Sequence, residues 1–106
     1  MNPGAVPLDI ESILEKLVDA TEALDEIWKD AANAEIIHKT AYAKAYLKAE
    51  GTIAEREAQA TVDVDAEFVD RRMADARLGV QRELLSSLRA QLDGVRSLNA
   101  NMRVVS

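Results

Sequence analysis

The sequence predicts an all-α protein made of two long antiparallel helices that are joined by a turn at Gly51-Thr52. Both prolines lie within the first seven residues, so no proline interrupts a helix further along the chain. Apolar residues recur at three- and four-residue spacing over most of the length, as in amphipathic helices. Gly51 and Thr52 then supply a helix stop followed directly by a helix start.

The length of 106 residues allows one domain at most. We expect a flexible leader over residues 1–8, because Pro3, Gly4 and Pro7 all disfavour helix there. A helical hairpin domain over residues 9–98 follows, and a frayed tail over residues 99–106 ends the chain.

The first helix is predicted over residues 9–50, with Asp9 as its N-cap and with Leu8 and Ile13 as a hydrophobic staple. Its main apolar stripe consists of Ile10, Ile13, Leu14, Leu17, Leu24, Ile27, Trp28, Ala31, Ala34, Ala41, Tyr42 and Ala45. Further apolar residues lie off that stripe: Val18, Ile36, Ile37, Tyr46 and Leu47. One facing helix cannot cover so broad a surface. We therefore expect self-association, as a homodimeric four-helix bundle, or docking on a different protein.

The turn is predicted from local chemistry. Glycine at position 51 can adopt the left-handed conformation that ends many helices. Thr52 and Glu55 have the spacing of a capping box, in which each side chain accepts a hydrogen bond from the other residue's backbone N–H.

The second helix is predicted over residues 52–98. In its second half, Leu78, Leu85 and Leu92 form one heptad row and Leu88, Val95 and Met102 a second, as at the a and d positions of a coiled coil. In the first half, a stripe with the same alternation is offset from these rows: Val62, Ala66, Val69, Met73, Ala76 and Val80. Joining the two patterns requires a stutter, so we expect local unwinding near residues 76–88.

The charges favour folding the two helices together. Residues 9–30 contain eight acidic side chains and two lysines, whereas residues 76–106 contain five arginines and two acids. Four of those arginines lie seven residues apart: Arg82, Arg89, Arg96 and Arg103. We expect them to form salt bridges with Glu15, Asp19, Glu22, Asp25 and Glu26. The alternative is a row of guanidiniums that grips successive phosphates of a single-stranded nucleic acid, although no aromatic residues are interleaved for base stacking.

Glu35 and His38 have the Glu-x-x-His spacing that di-iron four-helix bundles use, and a dimer would supply two copies. Asp63, Asp65 or Glu67 would lie opposite His38 in the hairpin. The offset stripe, however, turns Glu67 away from the interface, and a lone histidine is more often structural or half-exposed. We expect no metal and no cofactor.

Three aromatic residues are candidates for partner contacts. Tyr42 and Tyr46 lie one helical turn apart near the hairpin tip, beside Lys44 and Lys48. They form either a contact patch or a packing group against Ile53 across the turn. Trp28 similarly either anchors another chain or lies in the core of the bundle.

Composition argues against several function classes. The chain has no cysteine, a single histidine and no glycine-rich phosphate loop, so we expect no enzymatic activity. A net charge of −6 disfavours bulk attraction to duplex DNA, although an acidic rod can imitate DNA and occupy a DNA-binding protein. Without cysteine or an apolar run of ~20 residues, we expect a cytoplasmic protein with no membrane partner.

Four segments within residues 42–103 have distinctive sequences: Tyr42-Ala-Lys-Ala-Tyr46, Gly51-Thr-Ile-Ala-Glu-Arg-Glu-Ala58, Leu88-Arg-Ala-Gln-Leu-Asp93 and Ser97-Leu-Asn-Ala-Asn-Met-Arg103. In these segments the chain resembles small acidic helical proteins encoded by tailed bacteriophages. The resemblance implies a non-enzymatic accessory protein in the host cell cytoplasm that binds a partner of the replication or recombination apparatus.

The length, acidity and expected hairpin are also similar to those of helical hairpins exported by type VII secretion. The Trp-x-Gly turn of that family is absent. The turn here is Ala49-Glu50-Gly51-Thr52, and Trp28 lies far upstream.

Overall fold

The computed structural model describes the backbone of residues 5–105 and the side chains of residues 10–101. This part of the chain contains three helices and no strand, which confirms the all-α class. The helices are α1 (Ala5–Lys48), α2 (Ile53–Asp63) and α3 (Asp65–Val105). Long-range contacts group the described residues into two compact units. Unit 1 contains the residues up to Asp25 and those from Val80 onward, and unit 2 is Glu26–Gly79.

Both ends of the helical region extend beyond the predicted bounds. Helix α1 begins at Ala5, so Asp9 lies inside the helix and is not its N-cap. Pro7 is tolerated because it lies in the first turn, where a backbone N–H has no intrahelical acceptor. Helix α3 continues through residues 99–105, where we predicted fraying. Residues 1–4 of the predicted leader, Ser106 and the side chain of Leu8 lie outside the described part.

The turn forms where it was predicted. Gly51 has a φ of 111°, the conformation that favours glycine. Thr52 is the N-cap of α2, and its hydroxyl oxygen accepts a hydrogen bond from the Glu55 backbone N–H at 3.2 Å. Two further side chains satisfy carbonyls of the turn. Arg56 Nε donates to the Gly51 carbonyl at 3.0 Å, and Gln59 Nε2 donates to the Glu50 carbonyl at 2.9 Å.

The predicted second helix is divided at Val64, where the sequence gives no proline or glycine. The interruption is small, because Val64 N–H still donates to the Ala60 carbonyl at 3.2 Å and Phe68 N–H to the Val64 carbonyl at 2.9 Å. The helical periodicity therefore continues across position 64. The expected unwinding near residues 76–88 was wrong, since these residues are continuous helix within α3.

Unit 1 is an antiparallel pair formed by the first part of α1 and the last part of α3. Leu85 and Leu88 bury their side chains against Ala20, with Leu17 and Leu24 packed beside them. Gln81 Nε2 also donates to the Ala20 carbonyl at 2.8 Å, which gives this polar seam residue a partner. Leu92 is buried, and Leu78 and Val95 are half-buried. The predicted leucine rows are thus confirmed up to Val95; the side chain of Met102 lies outside the described part.

Unit 2 has a smaller seam with polar members. Ala31, Ala60, Val64 and Ala74 are buried, while Glu67 and Arg71 are half-buried. On the α2–α3 side, the inward residues follow alternating steps of four and three without interruption: Ala60, Val64, Glu67, Arg71, Ala74, Leu78, Gln81, Leu85, Leu88, Leu92 and Val95. The predicted stutter is therefore wrong. One heptad pattern covers both helices, and in unit 2 it includes charged residues.

Candidate interaction surfaces

The most polar part of the seam lies in unit 2 around Arg71. Its Nη1 is 3.1 Å from Nδ1 of His38, and its Nη2 is 3.5 Å from Oε1 of Glu35. The same carboxylate pairs with Lys39 Nζ at 2.8 Å along α1. The hydrogen bond and positive charge of Lys39, followed by the charge of Arg71, lower the pKa of Glu35. Arg71 thus links α3 to two side chains of α1.

His38 has two different neighbours. A guanidinium can only donate, so in this arrangement the Nδ1 atom of His38 accepts the hydrogen bond from Arg71. The imidazole also meets the ring of Phe68 edge-on, with centroids 5.7 Å apart and an interplanar angle of 61°. His38 is therefore held in one orientation by a hydrogen bond and an aromatic contact.

The structure places the three residues of the metal hypothesis, Glu35, His38 and Glu67, in different surroundings. Glu67 was expected to turn away from the interface, but it occupies a half-buried seam position. It lines a small cleft with Asp30, Asp70 and Arg77. Glu35 and His38 share a guanidinium rather than a third carboxylate. Over the described residues, no three His, Cys, Asp or Glu side chains are grouped as metal ligands would be.

The hairpin tip carries a stacked aromatic pair. The rings of Tyr42 and Tyr46 lie 6.4 Å apart with an interplanar angle of 25°, and both residues are half-buried. Ile53 is exposed, so it contributes little to the packing that we considered for them. Leu47 is 83% exposed beside this pair. The tip therefore combines two tyrosine rings with an adjacent aliphatic side chain in water.

Helix α1 leaves other large apolar side chains exposed. Trp28 is 53% exposed, so it is not part of the core formed within one chain. Ile36 and Ile37 are exposed in unit 2, and Leu14 and Val18 are exposed in unit 1. These side chains are available to another chain.

A second exposed surface runs along α2 and α3, and we call it the back stripe. Its members are the residues that sequence analysis placed in the core: Val62, Ala66, Val69, Met73, Ala76 and Val80. All of them are exposed; Met73, for example, is 54% exposed whereas its neighbour Ala74 is buried. The stripe recurs at helical spacing, as predicted, but on the opposite side of the helix from the seam.

The arginine row does not form the expected salt bridges within the described residues. Arg82, Arg89 and Arg96 are exposed and have no ion pair there. Glu15 and Glu22 lie two residues from seam positions on either side, so they point away from α3. Glu26 pairs instead with Lys29, at 3.9 Å. The side chain of Arg103 lies outside the described part.

An open groove that the sequence did not predict runs along one edge of unit 1. It has a volume of about 570 Å³ and is mostly apolar. Leu84 and Leu88 on α3 and the small residues Ala20 and Ala23 on α1 form most of it, with Lys16, Asp19 and Gln91 at its edges. A heptad pattern with the correct seam positions would have placed Ala23 and Leu84 at the edge of the seam, because each lies next to a seam residue.

Comparison with known proteins adds nothing to the geometry described above. No protein-family model, no curated protein and no solved structure matches the chain. Within the part of the chain that the structure describes, none of the helices is long and apolar enough to span a lipid bilayer.

Proposed function

We propose that this chain is a non-enzymatic interaction protein that self-associates into a helical bundle and binds another protein. The observation that supports this most strongly is the imbalance between core and surface. Over the described residues, nine apolar residues are buried and four of them are alanines, whereas fourteen large apolar side chains are exposed. Surfaces of this kind mark sites of contact with other chains.

The energetics favour covering these side chains. Fully burying a valine, leucine, isoleucine or methionine contributes about 1.5–3 kcal/mol relative to exposure. A handful of such residues therefore contributes as much as the roughly 5–15 kcal/mol that stabilises a whole domain. A homodimer in which two helix pairs form a four-helix bundle would gain this energy.

For the partner protein, we propose the surface of α1 in unit 2. It offers three amphipathic aromatic side chains and three aliphatic ones: Trp28, Tyr42, Tyr46, Ile36, Ile37 and Leu47. Trp, Tyr and exposed aliphatic residues are typical anchors of interfaces. The resemblance to phage-encoded helical proteins suggests a partner from the replication or recombination apparatus in the host cell cytoplasm.

Capture of partners from the native host tests this proposal. The bait is the wild-type chain, compared with an Ile36→Asp/Leu47→Asp variant and with Ser86→Asp, an exposed position on α3, as the control. We expect the wild type and the control to retain the same replication or recombination protein and the double variant to lose it. Equal retention by all three chains would contradict the assignment of this surface.

One observation favours a second candidate, binding of single-stranded nucleic acid. Arg82, Arg89 and Arg96 lie along one line of α3 and are free of carboxylate partners in the described part of the chain. Each phosphate contact would add about −0.7 to the slope of log affinity against log salt concentration. Fluorescence anisotropy with a labelled oligonucleotide tests it. Binding by the wild type and loss in Arg89→Glu/Arg96→Glu would support this candidate, and no binding by the wild type would exclude it.

A further inference from the structure

The residues of the back stripe are arranged almost symmetrically about the centre of the stripe. From the centre outward, Val69 and Met73 are followed by Ala66 and Ala76, and then by Val62 and Val80. The spacing is also symmetric, with steps of four, three, four, three and four residues. All six residues are exposed and point away from the seam.

Such a pattern is complementary to itself when two copies run antiparallel. A two-fold axis at the level of Arg71 places Val62 opposite the second copy's Val80 and Ala66 opposite its Ala76. Val69 then lies opposite the second copy's Met73. Each contact is repeated by the symmetry, as in an isologous dimer interface. The alanine pairs let the two helices approach, and the valine–methionine pairs fill the space between them.

We propose that the back stripe is where a second copy of this chain docks, antiparallel and about that two-fold axis. This inference rests on the proposed self-association and specifies how the two helix pairs of the dimer meet. Because the back stripe lies opposite the seam, the two copies meet through α2 and α3, and α1 of each copy stays outside the contact. The partner surface of α1 in unit 2 consists of other residues, so docking a second copy on the back stripe does not use them.

The charges beside the stripe are compatible with this pairing. At the outer ends of one edge, Asp63 lies opposite the second copy's Arg77, and the symmetry repeats that pair. Near the axis, Asp70 faces the second copy's Asp70 on that edge, and Arg72 faces the second copy's Arg72 on the other edge. Exposed pairs of either sign contribute little in salt. The apolar residues therefore determine the pairing, and Asp63 and Arg77 favour the antiparallel direction.

Disulfide cross-linking measures the register, because the chain contains no native cysteine. We would prepare Val69→Cys with an isotopic label and Met73→Cys without one, mix them to allow exchange, and oxidise. Gly94→Cys is the control, since Gly94 is exposed on the same side of α3 and no atom lies within 4 Å of an added Cβ. We expect the mixed 69–73 disulfide to exceed each homodisulfide and the control at least tenfold. Predominant 69–69 and 73–73 bonds, or equal cross-linking of the control, would overturn the proposal.

Sedimentation equilibrium separates this inference from the proposed function. We expect Val69→Glu/Met73→Glu to weaken the dimer at least 100-fold, while far-UV circular dichroism stays helical because both positions are exposed. The matched control is Ala90→Glu/Ser97→Glu, at exposed positions on the same side of α3. A wild-type dimer that the 69/73 variant leaves intact would refute the back stripe alone. A wild type that stays monomeric at every concentration would refute the self-association as well.

Discussion

A matched pair of leucines in unit 1 tests the heptad seam. Leu88 is 4% exposed and packs in the cluster with Ala20 and Leu85, whereas Leu84, one turn earlier, is 45% exposed at the edge of the groove. Leu→Ala removes three carbon atoms, at about 0.8 kcal/mol for each buried one, and leaves a cavity where the site cannot collapse. Because Leu88 also borders the open groove, its cavity term is small. We expect Leu88→Ala to cost about 2–3 kcal/mol and Leu84→Ala about 1 kcal/mol.

Urea denaturation followed by circular dichroism measures both free energies of unfolding, and thermal unfolding supplies a second comparison. A loss of about 2–3 kcal/mol corresponds to a fall in Tm of roughly 10–20 °C for a chain of this size. Both variants should be measured at one concentration, since the proposed dimerisation would add to apparent stability. If the two substitutions cost the same, or if Leu84→Ala costs more, the rotation of α3 about its axis is not the one described here.

Three further predictions concern the turn and the polar seam. Gly51→Ala should cost about 1–3 kcal/mol in urea denaturation, because φ is 111° and the added Cβ would meet the Glu55 carboxylate; no loss would contradict this turn geometry. A double-mutant cycle of Arg71→Ala and His38→Ala should show a coupling of about 0.5–1.5 kcal/mol, and additive losses would contradict the contact. The pKa of Glu35 is lowered in the folded state, so its ionised form stabilises the fold above the ordinary carboxyl pKa of 4.5, and this contribution is lost as the pH falls through the folded pKa. Melting temperatures of wild type and Glu35→Gln should therefore differ near pH 7 and converge in acid; a constant difference would contradict this.

The features that could be predicted from sequence have local or strongly periodic causes. The turn depends on Gly51 and Thr52, whose backbone preference and capping hydroxyl act within a few residues. The leucine rows of unit 1 were found because Leu85 and Leu92 lie seven residues apart and Leu88 lies three residues after Leu85. In both cases, the residue type that favours the structure is also the one that occupies it.

The seam of unit 2 was misplaced because its inward side is the less apolar one. Seam positions there hold Glu67 and Arg71, whereas the outward side holds Val69 and Met73. Apolar periodicity therefore favours the outward side with Val69 and Met73. Connecting that side with the heptad row of Leu78 then requires a stutter. Arg71 is accommodated in the seam because it meets Glu35 and His38 across the interface, and apolar periodicity does not reveal such a pairing between distant parts of the chain.

The arginine row was misjudged for a related reason. Net charges of two segments predict attraction between them but do not say which side of each helix carries the charge. Glu15 and Glu22 lie on the outer side of α1, so they do not pair with Arg82, Arg89 or Arg96.

The mass of the purified wild-type chain in solution tests directly whether a second copy covers the apolar residues outside the seam. Size-exclusion chromatography with multi-angle light scattering, over a range of micromolar concentrations, measures that mass. We predict a mass of twice the 11.6 kDa of one chain, with partial dissociation on dilution. A single species of 11.6 kDa at every concentration would contradict this prediction.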